Sequence, residues 1–198
     1  MKKFIIEQKL TALVNRYTVY DPDAGSGKGL LLAFAEQKRF TMKEEVKFFK
    51  EEQKLNIVFS VKAEKVLDIH GRFFVTDENN RQIGVIRKSF KSSLLRSTYE
   101  LMDSNEKLTA IVQERSQGLA IFRRVWEFIP YASDIPFLFK YHFNFIDPET
   151  KEVLGLYTKT TRFRDHYELT ILDDSVLEKL GWQTLVAQGV MLDVMQGR

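Results

Sequence analysis

The residues of this chain whose types and spacing could do chemistry are mostly basic. Arg81, Arg87, Lys88, Lys91 and Arg96 follow one another with no acidic residue among them, and Ser89, Ser92 and Ser93 add hydroxyl donors. Arg offers a planar fork of donors and Lys a compact charge, so the run suits a phosphomonoester or an anionic lipid headgroup. The competing reading is a solvated strand end, where cations keep a sheet edge from pairing with another chain. Gly25-Ser26-Gly27-Lys28-Gly29 has the look of a phosphate loop. A nucleotide-binding loop of that kind needs a Gly five positions before its second Gly and a hydroxyl after the Lys. Pro22 and Gly29 stand at those positions, which favours a flexible hairpin turn.

Other chemistries find less material. His70, His142 and His166 are far apart and lack paired ligand spacing, so each reads as a strand-face or turn residue before a metal ligand. Ser133 and Asp134 near His142 suggest a nucleophile set, yet no nucleophile elbow or oxyanion signal accompanies them. Trp126, Phe128, Tyr131, Phe137, Phe139 and Tyr141 are dense enough for a base-stacking platform, but their alternate positions favour a barrel core. The chain has no cysteine, which removes disulfides, thiolate metal sites and a Cys nucleophile. A cytoplasmic, reducing setting is compatible with that. With 30 basic and 27 acidic residues the net charge is +3, too small to argue for nucleic acid as a bulk partner. No catalytic constellation and no cofactor motif emerges, so the expectation is a protein that is not an enzyme.

Any site must be held by β-hairpins. Four stretches share one template, an apolar run, an Asp, a polar turn and a second apolar run ending in basic residues: YTVYD at 17–21, FFVTD at 73–77, YELMD at 99–103 and FNFID at 143–147. Asp caps such a turn by accepting bonds from its own backbone. Each hairpin exposes two edges and one apolar face, so several must pair and wrap around a shared core. Further strands are expected at 4–8, 55–61, 118–128, 137–142 and 167–172, about a dozen in all. Residues 42–54 are ambiguous. Their charge density suggests a short exposed helix with Val46, Phe49 and Leu55 inward, and a charged loop or strand is nearly as good a fit.

The last segment breaks the pattern. Ser175 to Glu178 has capping-box spacing, Asp173 and Asp174 suit the positive end of a helix dipole, and a helix is predicted over about 175–195. It is apolar on nearly every face from Leu185 to Leu192, with Gln188 the exception, so it must be buried. The charge-free run from Leu180 to Leu192 is 13 residues, short of the roughly 20 a bilayer needs. The N-terminus MKKFIIEQKL meets Glu7 too soon to form a signal-peptide core. The expected architecture is a single domain over 1–198, a mainly β closed antiparallel barrel around its own C-terminal hydrophobic helix.

This order of segments resembles the tubby C-terminal-like superfamily, which includes tubby-like proteins, phospholipid scramblases and LURP-one-related proteins. FIIEQKLTALVNRYTVYDPDAG is similar to the opening of a LURP-one-related protein, FFVTDENNRQIGVIRK to a scramblase hairpin, and HYELTILDDSVLEKLGWQTLVAQGVMLDVM to the family's last strand and final helix. The resemblance implies about twelve strands around a central helix. Tubby-like proteins have a Gly-Lys-Leu-Arg segment whose Arg contacts lipid phosphates. Gly84-Val85-Ile86-Arg87 keeps that Arg as Arg87 and lacks the Lys. A second basic cluster follows a Leu-Leu-Ala strand in that family, and Leu31-Leu32-Ala33 leads here to Lys38 and Arg39.

The scramblase features fit less well, because the proline-rich leader and cysteine clusters are missing. The carboxylates at the corresponding calcium segment, Asp165, Glu168, Asp173 and Asp174, lack EF-hand spacing. The resulting expectation is a binding or scaffold module, without a metal or cofactor, that meets anionic phospholipid or phosphoinositide headgroups through Arg87, Lys88, Lys91, Lys38 and Arg39. It would be cytoplasmic and peripheral at the membrane, with no transmembrane span, no nucleic acid and an unknown protein partner. The alternatives are an enzyme or small-molecule carrier with a pocket at the barrel mouth, or a protein-interaction module.

Overall fold

The computed structural model describes residues 1–10, 14–38, 45–64, 71–89, 97–115, 142–160 and 165–196. Among the described residues, twelve strands form a closed barrel. They are β1 (Lys2–Leu10), β2 (Val14–Asp21), β3 (Leu30–Lys38), β4 (Glu45–Phe49), β5 (Ile57–Ala63), β6 (Arg72–Asp77), β7 (Gln82–Lys88), β8 (Thr98–Met102), β9 (Leu108–Glu114), β10 (His142–Ile146), β11 (Val153–Lys159) and β12 (Asp165–Ile171). Each pairs antiparallel with its sequence neighbour, and β1 closes the ring against β12. The expected strands at 118–128 and over most of 137–142 lie outside the described residues.

The predicted Asp turns are present and are made as expected. Asp77 Oδ1 accepts from the N–H groups of Asn79 (2.9 Å) and Arg81 (2.8 Å), and Asp103 Oδ1 from Asn105 (2.8 Å) and Lys107 (3.0 Å). Asp147 Oδ1 accepts from Glu149 and Thr150, both at 2.8 Å, and Asp21 Oδ1 from Asp23 at 3.0 Å. The glycine-rich stretch forms the β2–β3 turn, where Gly29 at φ +101 has no room for a Cβ, which would lie 2.1 Å from the Asp21 carbonyl oxygen.

β4, the turn at 50–56 and β5 form a fifth hairpin of the same kind, so of the two readings left open for 42–54 the described part, 45–54, is strand and turn and not helix. Its acid is Glu51, whose Oε1 accepts from the Asn56 N–H at 2.9 Å. Val46 and Phe48 point inward, as period-2 alternation requires, whereas Phe49 is half-buried and Leu55 is 78% exposed.

The C-terminal helix α1 (Asp174–Gln196) is broken at Gly181, whose φ of 69° and ψ of 156° are not helical. Asp173 caps the first piece by accepting from the Ser175 N–H at 2.9 Å, so the cap sits two residues before the predicted Ser175. Beyond Gly181 the helix enters the barrel. Trp182 stacks on Phe4 of β1 (6.3 Å) and meets the edge of Phe59 of β5 (5.6 Å), spanning the interior. Every residue from Thr184 to Leu192 is buried. Gly189 lets the helix approach Tyr157 and Ile6, and a Cβ there would lie 2.7 Å from the Tyr157 ring. Burying each Leu, Val or Met of this segment contributes roughly 1.5–3 kcal/mol, so the helix is the core of the barrel.

Candidate anion-binding end of the barrel

In an up-and-down antiparallel barrel all even-numbered strands finish at one end and all odd-numbered strands at the other. The five acid-capped turns and the β12–α1 junction therefore share the first end. Those connections, 21–29, 50–56, 77–81, 103–107, 147–152 and 172–174, carry thirteen acidic residues against six basic ones. β3 and β7 finish at the opposite end. Closure of the barrel thus brings Lys38 at the end of β3 to the same end as Arg87 and Lys88 at the end of β7. The side chain of Lys38 lies outside the described residues, as do Arg39 and Lys91. The connecting segments at this end, 11–13, 39–44, 64–71, 89–97, 115–141 and 160–164, lie mostly outside them too. As sequence they hold eleven Lys or Arg against five Asp or Glu.

Arg87 lies on the outer wall with its side chain 51% exposed, and it is already partnered. Its Nε donates to Glu100 Oε2 on β8 at 2.8 Å, and Nη2 donates to the same oxygen. A guanidinium carries five N–H donors, so Glu100 occupies only part of the fork. Arg72 stands opposite Arg87 on β6. Its Nη2 is 2.5 Å from Glu106, its Nη1 3.6 Å from Glu64, and its guanidinium 5.0 Å from the Phe74 ring centre. Arg72, Arg87 and Glu100 therefore form a row across β6, β7 and β8. Lys88 continues the same edge, with its backbone N–H donating to the Gly71 carbonyl at 3.0 Å.

The sequence does not single out Arg72 as a neighbour of Arg87. Its place opposite Arg87 depends on a bulge between Val75 and Thr76 that shifts the pairing by one residue. Counting across the hairpin without that bulge misses it.

Pairing with carboxylates is general on the described wall. Glu36 on β3 accepts from Lys54 (2.9 Å) and Arg16 (3.0 Å), and Lys54 first, then Arg16, holds its carboxyl below the ordinary value. Lys3 does the same to Glu168, and Lys2 binds Asp21 at 2.6 Å. Asp147 and Asp173, at the hairpin end, are also held low, by the backbone N–H groups of Thr150 and Glu149 in the first case and of Ser175 in the second.

The remaining sequence candidates do not converge. His142 opens β10 and His166 lies on β12 with Nδ1 3.7 Å from Glu7. His70, Ser133, Asp134 and the aromatics from Trp126 to Tyr141 lie outside the described residues. Among the described residues no three His, Asp or Glu gather where they could hold a metal ion. No helix of the described residues is long and apolar enough to cross a membrane.

Comparison with known families gives a match. A family model described as LURP-one-related covers residues 32–179, three quarters of the chain. The chain belongs to the LURP-one-related family. That family is part of the tubby-like superfamily, which agrees with the twelve-strand barrel and its inner helix. The match takes in the LURP-one-related wall from β3 to the first piece of α1, including Lys38, Arg72, Arg87 and Lys88, and leaves β1, β2 and the inner helix outside. No curated protein matches the chain.

Proposed function

We propose that this LURP-one-related barrel is a non-enzymatic binding module that meets anionic phospholipid headgroups with the end where β3 and β7 finish. One observation carries the reading: closure of the barrel sets Lys38 beside the same end as Arg87 and Lys88, while acidic turns occupy the other end. Such separation orients the molecule toward an anionic surface, where each Lys or Arg contributes about 1 kcal/mol. Arg87 takes part by sharing its fork between Glu100 and a phosphate oxygen. The alternative of an enzyme or carrier would have to place its pocket at the barrel mouth, because the residues of α1 from Thr184 to Leu192 occupy the interior.

The test is co-sedimentation of the full chain with vesicles of phosphatidylcholine alone and of phosphatidylcholine with phosphatidylserine or a phosphoinositide. Binding is expected only to the anionic vesicles, should weaken as salt rises, and should be lost in the double variant Lys38→Glu, Lys88→Glu. A wild-type protein that stays in the supernatant with every vesicle at low salt overturns the reading. Binding that ignores salt assigns the contact to a pocket instead.

A further inference from the structure

The inner helix carries two polar side chains that the barrel buries and leaves without protein partners. Gln188 is 0% exposed, and neither its Nε2 nor its Oε1 has a hydrogen-bond partner among the described residues. Thr184, one turn earlier on the same face, is also 0% exposed with an unpartnered Oγ1. A helical Thr commonly bonds the carbonyl four residues back. Four residues back is Leu180, on the far side of the break at Gly181. Buried amides and hydroxyls are nearly always satisfied, and where protein atoms do not serve, ordered water does.

The wall beside this face fits such a role. Thr184 lies against Gly84 of β7, so close that a Cβ there would meet its Oγ1 at 2.5 Å. Next to Gly84 the ladder to β6 is bulged at Ile83, since Val75 pairs with Gly84 and Thr76 with Gln82. On the other side, the ladder from β7 to β8 starts only at Val85. Regular exchange of backbone bonds is interrupted there, and an internal water typically needs about three polar partners. β9, which α1 also touches, adds the small inward residue Ala110.

We propose that the barrel interior holds ordered water on the Thr184–Gln188 face of α1, bonded to the Gln188 carboxamide, the Thr184 hydroxyl and the β7 backbone at the Ile83 bulge. Water, a small donor and acceptor in one, is the ligand class the site takes. The inner helix is then fixed in rotation by polar contacts as well as by packing.

Two measurements on the full chain test it. A high-resolution crystal structure should show ordered water within hydrogen-bond distance of both side chains; a Gln188 carboxamide bonded wholly to protein atoms overturns the proposal. In a double-mutant cycle, the isosteric Thr184→Val and the near-isosteric Gln188→Met should each lower Tm by roughly 2–4 °C. Together they should lower it by less than the sum, because both release the same water. Strict additivity, or a rise in Tm with Thr184→Val alone, overturns the proposal. That variant preserves shape, so it stays informative if the Gln188 variant fails to fold.

Discussion

At the hairpin end of the barrel, every turn closes on an acid that bonds its own backbone, and charge serves local geometry. At the opposite end, Arg87 of β7 is held across the wall by Glu100 on β8, where at the hairpin end Asp77 bonds the backbone of its own turn. Surface charge is therefore structural at one end, and the proposed lipid contact would give it a second role at the other. Substitutions can separate those two roles.

The largest effect should come from neither end but from the core they share. Removing residues 174–198 takes away the helix that fills the barrel, and the truncated chain should show no cooperative unfolding transition. A cooperative melt of the truncated chain would mean that the wall stands without a core. A milder version is Gly189→Val, which forces a side chain against Tyr157 and should cost about 1–3 kcal/mol in chemical denaturation.

At the basic end, Lys38→Glu with Lys88→Glu should abolish vesicle binding while leaving Tm within a few degrees of wild type. Loss of fold in that variant would make the basic end structural too. The hairpin end should respond to acid. Asp147 and Asp173 are held below their ordinary value of 3.8, so their stabilisation is present above that value and disappears as pH falls through the lower folded values. Asp173→Asn keeps the capping acceptor but removes the titration, and should flatten the acid limb of a Tm against pH curve. Arg87→Gln should have the smallest effect on stability, under about 0.5 kcal/mol, because a half-exposed ion pair contributes little. Its effect should appear in vesicle binding instead.

The acid-capped turns were legible in the sequence because their chemistry is local: an Asp and the N–H groups two to four residues on. The hairpin closed by Glu51 follows the same logic and was hidden by its charge density, which imitates an exposed helix. The inner helix was legible from its all-round apolarity, but the break at Gly181 was not. Gly181 permits a stop after Leu180 without requiring one, and beyond it Trp182 reaches Phe4 and Phe59 inside the barrel. Of the candidate site, Arg87 could be found from sequence, whereas its partner Glu100 and its neighbour Arg72 depend on cross-strand register and on a bulge.

The position of α1 also has a consequence for synthesis. The ribosome releases all twelve strands before the helix they enclose, and β12, which closes the ring on β1, emerges immediately before it. Until then the growing chain is a sheet with no interior, exposing inward faces such as Phe48, Phe59, Phe143 and Phe145. The inward faces of the wall are therefore covered only once the helix that follows them has emerged, and a β structure in that interval exposes the apolar surface that makes partly folded chains prone to aggregate.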